Sequence, residues 1–286
     1  MRFSQSGTFN IAAKDFISKG VRAIQSSIDI INRLKVTNSS VPKKLFEALV
    51  SSTALYAAPV WCLGHTEELE KIQSMFFRKL LCVLQCTPGY AIRVEMNITS
   101  LELKCFKLIL NFIQRILRMK NNRFPKICFE KLKSLSEFDT NKQKYNWFVH
   151  VRNNFFSKIN QTDTWDNLTL DLLEKEKKNL IIKMENQERE LDAVSSTRST
   201  SLLFFPAIHQ IERAVHYFDL TISLYYKKVI AQLILFNKYA PRFITKNKYF
   251  INEKNTVNTV MKIITFYIQC CSVHISTNIR KNYYMK

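Results

Sequence analysis

The stretch SLELKCFKLILNFIQRILRMK, residues 100–120, decides the fold class. Its apolar positions Leu101, Cys105, Leu108, Phe112 and Ile116 recur at steps of three and four, widened by Ile109, Ile113 and Leu117. That spacing puts them on one broad face of an α-helix. Lys104, Lys107, Asn111, Gln114 and Arg118 fall at the same steps on another side, forming a polar stripe that contains no acid. A helix built this way commits one side to a core and offers cations on the other.

The same periodicity recurs outward from this segment. Residues 11–35 carry Ile17, Val21, Ile24, Ile28 and Ile31 at helical spacing. VTNSSVP ends that helix, and Pro42 suits the first turn of the next, which places Leu45, Leu49 and Ser52–Thr53 on one face. Pro59 biases Ala58 towards an extended backbone and closes that helix. Thr66 then reads as an N-cap, with Glu67, Glu68 and Glu70 at the positive end of a helix whose buried stripe is Leu69, Ile72, Phe76 and Leu80. The Pro-Gly pair in TPGY, residues 87–90, predicts a type II turn. Four glycines and six prolines in 286 residues are too few turn formers for large sheet folds. The expectation is an all-α protein of two helical lobes.

Hydrophobic residues make up 47% of the chain, 21 of them Phe, so it should fold. Its 43 basic residues against 23 acidic give a net charge of +20. Residues 1–160 carry 25 basic and 11 acidic, residues 161–195 carry 5 and 9, and residues 196–286 carry 13 and 3. The predicted organisation is a helical lobe over 1–160, an acidic helix and polar linker over 161–201, and a second helical lobe over 202–286. SSTRSTS at 195–201 marks the linker. Such an excess of positive charge repels itself and favours a polyanionic partner, most often nucleic acid; a solvated, lysine-rich surface is the plainer alternative. The most apolar tail segment, 257–275, is interrupted by Lys262, Gln269 and His274, so no membrane span is expected. Met1-Arg2-Phe3-Ser4 leads into polar sequence, and seven scattered cysteines suit reduced thiols, so the expected location is intracellular, nucleus or cytoplasm.

LYAAPVWCLGHTEELEKIQ, residues 55–73, poses the question of chemistry. Cys62-x-x-His65 and Cys82-x-x-x-Cys86 hold four potential zinc ligands, but neither has the close Cys-x-x-Cys spacing of a knuckle and both lie among apolar positions. Cys270-Cys271-x-x-His274 is no better. There is no Gly-x-Ser-x-Gly elbow, phosphate-binding glycine loop, His-Glu-x-x-His or Asp-Asp pair, and His150, His209 and His216 read as satisfied or exposed histidines. The expectation is no catalytic residue, no metal and no cofactor.

The order of several residues resembles the region just after the polymerase palm of reverse transcriptases from non-LTR (LINE-type) retrotransposons. These are Val41-Pro42, Leu55-Tyr56, Trp61, Leu69, Ile72-Gln73, Phe76, Arg78 and Thr87-Pro88, continued by TPGYAIRVEMNITSLELK at 87–104. The resemblance covers about residues 7–125, with Ala57 where the family usually has Gly and Pro59 where an acid is common. YKKVIAQLILFNKYAPRF, residues 226–243, is similar to the segment before that family's C-terminal zinc knuckle, which does not follow; residues 256–286 resemble nothing in it and read as a drifted tail. The palm with its Asp-Asp motif has no counterpart. The resemblance therefore implies a thumb-like helical bundle and a non-catalytic fragment that binds a template–primer duplex of RNA, DNA or both, its palm supplied upstream in a longer product. Lys104, Lys107, Gln114 and Arg118 are its expected phosphate contacts, with Lys43, Lys44, Arg78 and Lys79 as secondary ones. The alternatives are a helical protein-interaction module and a pseudogene-derived chain without selected function.

Overall fold

A computed structural model of the chain describes residues 9–34, 36, 38, 40–138, 146–202, 205, 218 and 224–235. Among these residues there is no β-strand, and the expected all-α class holds. The helices are α1 (Asn10–Arg33), α2 (Ser40–Leu45), α3 (Ser52–Ala54), α4 (Ala58–Trp61), α5 (Thr66–Leu81) and α6 (Gly89–Met96). They continue with α7 (Leu101–Leu117), α8 (Phe124–Phe138), α9 (Trp147–Val151), α10 (Thr162–Asp166), α11 (Leu170–Thr197) and α12 (Leu224–Ile234). Two π-helical turns, Phe46–Ser51 and Arg152–Phe156, extend α2 and α9.

Two of the expected helices bury a different face. In α1 the buried positions are Ala12, Ala13, Phe16, Gly20, Ile24, Ser27 and Ile31, while Val21 is 37% exposed. Gly20 sets this phase: a Cβ there would sit 3.0 Å from the Ala54 Cβ and 3.2 Å from the Ile72 Cδ1, so α1 approaches its neighbours through a residue without a side chain. After α2 the π-turn widens the helical period. Pro42, Phe46, Val50 and Ala54 are buried at steps of four, and Leu49 is turned outward.

Three smaller expectations also change. Thr66 opens α5 rather than capping it, because the Leu69 N–H already donates to the His65 carbonyl. Gly89 is not the left-handed corner of a type II turn: Pro88 is extended (φ −62°, ψ 145°) and Gly89 begins α6. Its missing side chain serves packing instead, since a Cβ would fall 2.8 Å from the Ser74 Oγ. Finally, SSTRSTS is helical as far as Thr197.

The described residues group into two units, each assembled from separate stretches of chain. One comprises Met1–Gln25, Ala48–Gln73 and Ile98–Leu191. Its core holds Phe16, Trp61, Leu69, Cys105, Phe106, Ile109, Phe155, Phe156 and Trp165. Here α4 packs on α7, and α8 packs on α7 and α9. Phe106 stacks on Phe155 with ring centres 5.3 Å apart, and Trp165 lies between Phe148 (4.5 Å) and Phe156 (4.7 Å).

The other unit comprises Ser26–Glu47, Ser74–Asn97 and Asp192–Lys286. Phe46 meets Phe76 and Phe77 at 5.1 Å each, and Arg93 grips Asp192 through both ends of its guanidinium. Lys227, 2% exposed, donates to the Phe218 carbonyl at 2.6 Å, so one of the carboxy-terminal cations is withdrawn from the surface. Much of the expected 202–286 lobe, including the 256–286 tail, lies outside the described residues.

Candidate nucleic-acid interface

The Cys62–His65 corner is built for packing. Trp61 is fully buried, stacks on Phe16 (5.6 Å, 18° between planes) and donates its indole N–H to the Tyr56 carbonyl at 2.8 Å. The Pro59 carbonyl accepts from the Trp147 indole at 2.8 Å. Ala57 (φ 52°) and Gly64 (φ 83°) supply the left-handed residues that reverse the chain on either side of α4. Cys62 and Cys105 are both fully buried. Their mutual hydrogen bond, reinforced by burial, pushes the Cys105 thiol well above its ordinary pKa. A protonated, inaccessible thiol is neither nucleophile nor ready metal ligand. His65 points its Nδ1 towards Glu68 at 3.9 Å.

Cys82 and Cys86 are exposed and belong to the other unit. No three His, Cys, Asp or Glu side chains converge on a metal-sized site among the described residues; His209, His216 and the Cys270–His274 group lie outside them. The purified protein is therefore expected to contain zinc far below one atom per chain, with its melting temperature unmoved by chelator. Stoichiometric zinc lost together with folding on chelation would return the cysteine–histidine set to consideration.

Helix α7 carries the basic stripe. Its start is fixed by the Ser100 hydroxyl, which accepts from the Leu103 N–H at 2.9 Å. Two carboxylates reach the same end: Glu188 accepts from the Ser100 hydroxyl, and Glu70 accepts from the Glu102 N–H at 3.0 Å. Negative charge is favourable at a helix N-terminus. The buried face is shifted from the expected one: Leu103, Phe106 and Leu110 join Leu101, Cys105, Ile109, Ile113 and Ile116, while Leu108, Phe112 and Leu117 are only half-buried. Lys104, Lys107 and Gln114 are consequently half-buried along its margin, and Arg118 is exposed.

The acidic segment does not stand away from this stripe. Glu174 of α11 accepts from the Arg118 Nε (3.1 Å) and Nη2 (2.5 Å) and from the Gln114 Nε2 (3.3 Å). Lys177 donates to the Gln114 Oε1 at 2.6 Å. The guanidinium and amide bonds hold the Glu174 carboxyl below its usual range. Both side chains of the ion pair are exposed, 59% and 41%, so the pair itself contributes little to stability.

With Glu188 at Ser100 and Glu174 at Gln114, α11 runs antiparallel to α7 and is fastened at both ends of a span of roughly 20 Å. Leu180 and Met184 are buried between these fastenings, and Leu173 is buried just before the Glu174 end. Sequence reasoning missed Glu174, Lys177 and Glu188. The signal was the apolar spacing of Leu173, Leu180 and Met184, hidden within a run of charge.

The secondary contacts lie in the other unit. Lys43 is half-buried, and Lys44 and Lys79 are exposed. Arg78 is committed inward: its Nε (2.9 Å) and Nη2 (2.6 Å) both donate to the Thr87 carbonyl, tying the 82–88 loop to α5. Burial lowers its pKa, with Cys86 pulling the other way, although a guanidinium stays charged in any case. No protein-family model, curated protein or solved structure matches the chain.

Proposed function

We propose that this chain is a non-catalytic C-terminal fragment of a retrotransposon reverse transcriptase, and that it binds a template–primer duplex through a basic helical surface. The observation that carries this reading is the margin of α7. Lys104, Lys107, Gln114 and Arg118 follow one edge of a helix whose opposite side is consumed by the core. Cations so placed read the phosphate backbone of a duplex rather than its base sequence, as holding a sliding strand requires. The net charge of +20 and the family resemblance over residues 7–125 point the same way.

The direct test titrates the purified chain into a labelled RNA–DNA duplex and follows anisotropy across salt concentrations. Binding that weakens linearly in log–log form is expected. No binding at low salt overturns the proposal.

The non-catalytic half carries its own expected result. In-line phosphoryl transfer needs carboxylates that hold two ions about 4 Å apart, and no such pair can be assigned in this sequence. Primer extension with magnesium or manganese should equal a no-protein blank. Incorporation that survives repeat purification would make the chain an enzyme.

One observation favours a second reading, a helical protein-interaction module. Gln114 and Arg118 are already held by Glu174 and Lys177, as in a helix-packing seam. Under that reading duplex binding survives reversal of the stripe.

A further inference from the structure

The connection between α7 and α8 gathers the densest positive charge of the described chain. Residues 115–133 contain seven lysines and arginines and a single acid, Glu130. That acid is already answered, since Lys126 lies 3.4 Å from it and also reaches back towards the Leu117 carbonyl, also at 3.4 Å. Lys120, Arg123 and Lys131 are exposed. The Arg123 N–H donates to the Lys120 carbonyl at 3.0 Å, so 120–123 is a closed turn that fixes the two cations within four residues.

Phe124 follows immediately, and at 76% it is the most exposed large apolar side chain among the described residues. Phe124, Ile127, Lys131 and Ser134 recur at steps of three and four on one outer face of α8, beside an open cleft lined by Asn121, Lys126, Ile127, Glu130, Lys131 and Ser134. The buried face is a different one, carried by Phe129 against Trp147 and Phe148. Phe124 is therefore not waiting on this unit's own core.

We infer that this corner grips single-stranded nucleic acid, with Phe124 stacking on a base and Lys120, Arg123 and Lys131 contacting the flanking phosphates. A duplex hides the faces of its bases, whereas a single strand offers them, and every base has such a face. Cations on this turn and on α8, flanking a bare aromatic ring at the start of that helix, match that ligand. They match an interfacial membrane helix poorly, because only Phe124 and Ile127 are large and apolar on this face and exposed asparagines, Asn121 and Asn122, interrupt it. The inference goes beyond the duplex reading and does not rest on it, since it assigns no contact to the stripe residues Lys104, Lys107, Gln114 and Arg118.

The test uses the full chain and a labelled fifteen-nucleotide oligo-dT. Loss of one stacked base should make Phe124→Ala bind roughly tenfold more weakly, while Phe124→Trp retains or improves binding. Both variants should melt as the parent does, because the ring is exposed. Reversal of Lys120 and Arg123 to Glu should lower the salt slope by about 1.4, two single-strand phosphates at about 0.7 each. A Lys104, Lys107 and Arg118 triple reversal should leave oligo-dT binding within about twofold, which separates failure of the duplex reading from failure of this one. The inference is overturned if the parent does not bind oligo-dT at low salt, or if Phe124→Ala binds it as tightly as the parent. It is equally overturned if Phe124→Ala weakens a blunt duplex as much as the oligonucleotide. Sedimentation with anionic phospholipid vesicles that depends on Phe124, alongside oligo-dT binding that does not, would assign the corner to a lipid surface instead.

Discussion

Replacing Trp61 with alanine is expected to lower stability by about 3–5 kcal/mol, the range for removing a fully buried large aromatic. Trp61 is 0% exposed, stacks on Phe16, and is pinned by its indole bond to the Tyr56 carbonyl. The hole would open where α4 packs on α7, a place with little freedom to collapse because Ala57 and Gly64 hold the chain in left-handed conformations on both sides. Trp61→Phe should cost less, roughly 1–2 kcal/mol, since it keeps the stack but loses one net hydrogen bond and some volume. Tyr56→Ala, at a residue 67% exposed, should stay within about 1 kcal/mol. Urea unfolding followed by circular dichroism reads all three. If Trp61→Ala lost under about 1 kcal/mol, the corner would not be the packed joint described, and Cys62 and His65 would need another explanation.

The features legible in the sequence are those written in one segment at a time. Helix existence follows from steps of three and four, as in α7; the run does stop before Pro59, but Ala58 is not extended as expected, since it opens α4 and the chain turns at left-handed Ala57. Helix phase is less legible. A period of 3.6 fixes a stripe only to within about one residue, and two local events move it: a glycine contact at Gly20 and a π-turn after Leu45. The hydrophobicity of Ile17 or Leu49 reports neither event.

Partnership between distant segments is not legible at all. Arg78 reads as a surface cation because nothing in its neighbourhood says that the Thr87 carbonyl will turn back to meet it. The run around Glu174 has the composition of a solvated helix. Only the fold shows that Glu174 and Glu188, fourteen residues apart, match Gln114 and Ser100, also fourteen apart, on an antiparallel neighbour. Charge counted by segment separates a basic lobe from an acidic bridge, yet the structure lays residues 174–188 of that bridge along α7.

That arrangement sharpens the test of duplex binding. Reversal of Lys104, Lys107 and Arg118 to Glu should lower the salt slope for an RNA–DNA duplex by about 2–3, at about 0.7–0.9 for each phosphate no longer bound. Because the backbone is what these cations would read, the weakening should be similar for duplexes of unrelated sequence. The charge-matched control must avoid Lys177, which is bonded to Gln114; Lys175, Lys178 and Lys183, all exposed on α11, remove the same charge without touching the stripe. If that control weakens binding equally, only net charge matters and the α7 margin has no special role. Glu174→Gln provides the opposite perturbation. In the parent, any phosphate reaching Arg118 must displace the Glu174 carboxylate, and repulsion from that carboxylate opposes its approach. The neutral amide removes the repulsion and frees the guanidinium, so binding should tighten, with no phosphate contact added beyond the three already counted. Tightening with Glu174→Gln, weakening with the triple reversal and neutrality of the control together assign Arg118 to the duplex. Weaker binding with Glu174→Gln would mean that the pair positions α11 and that the duplex is held elsewhere.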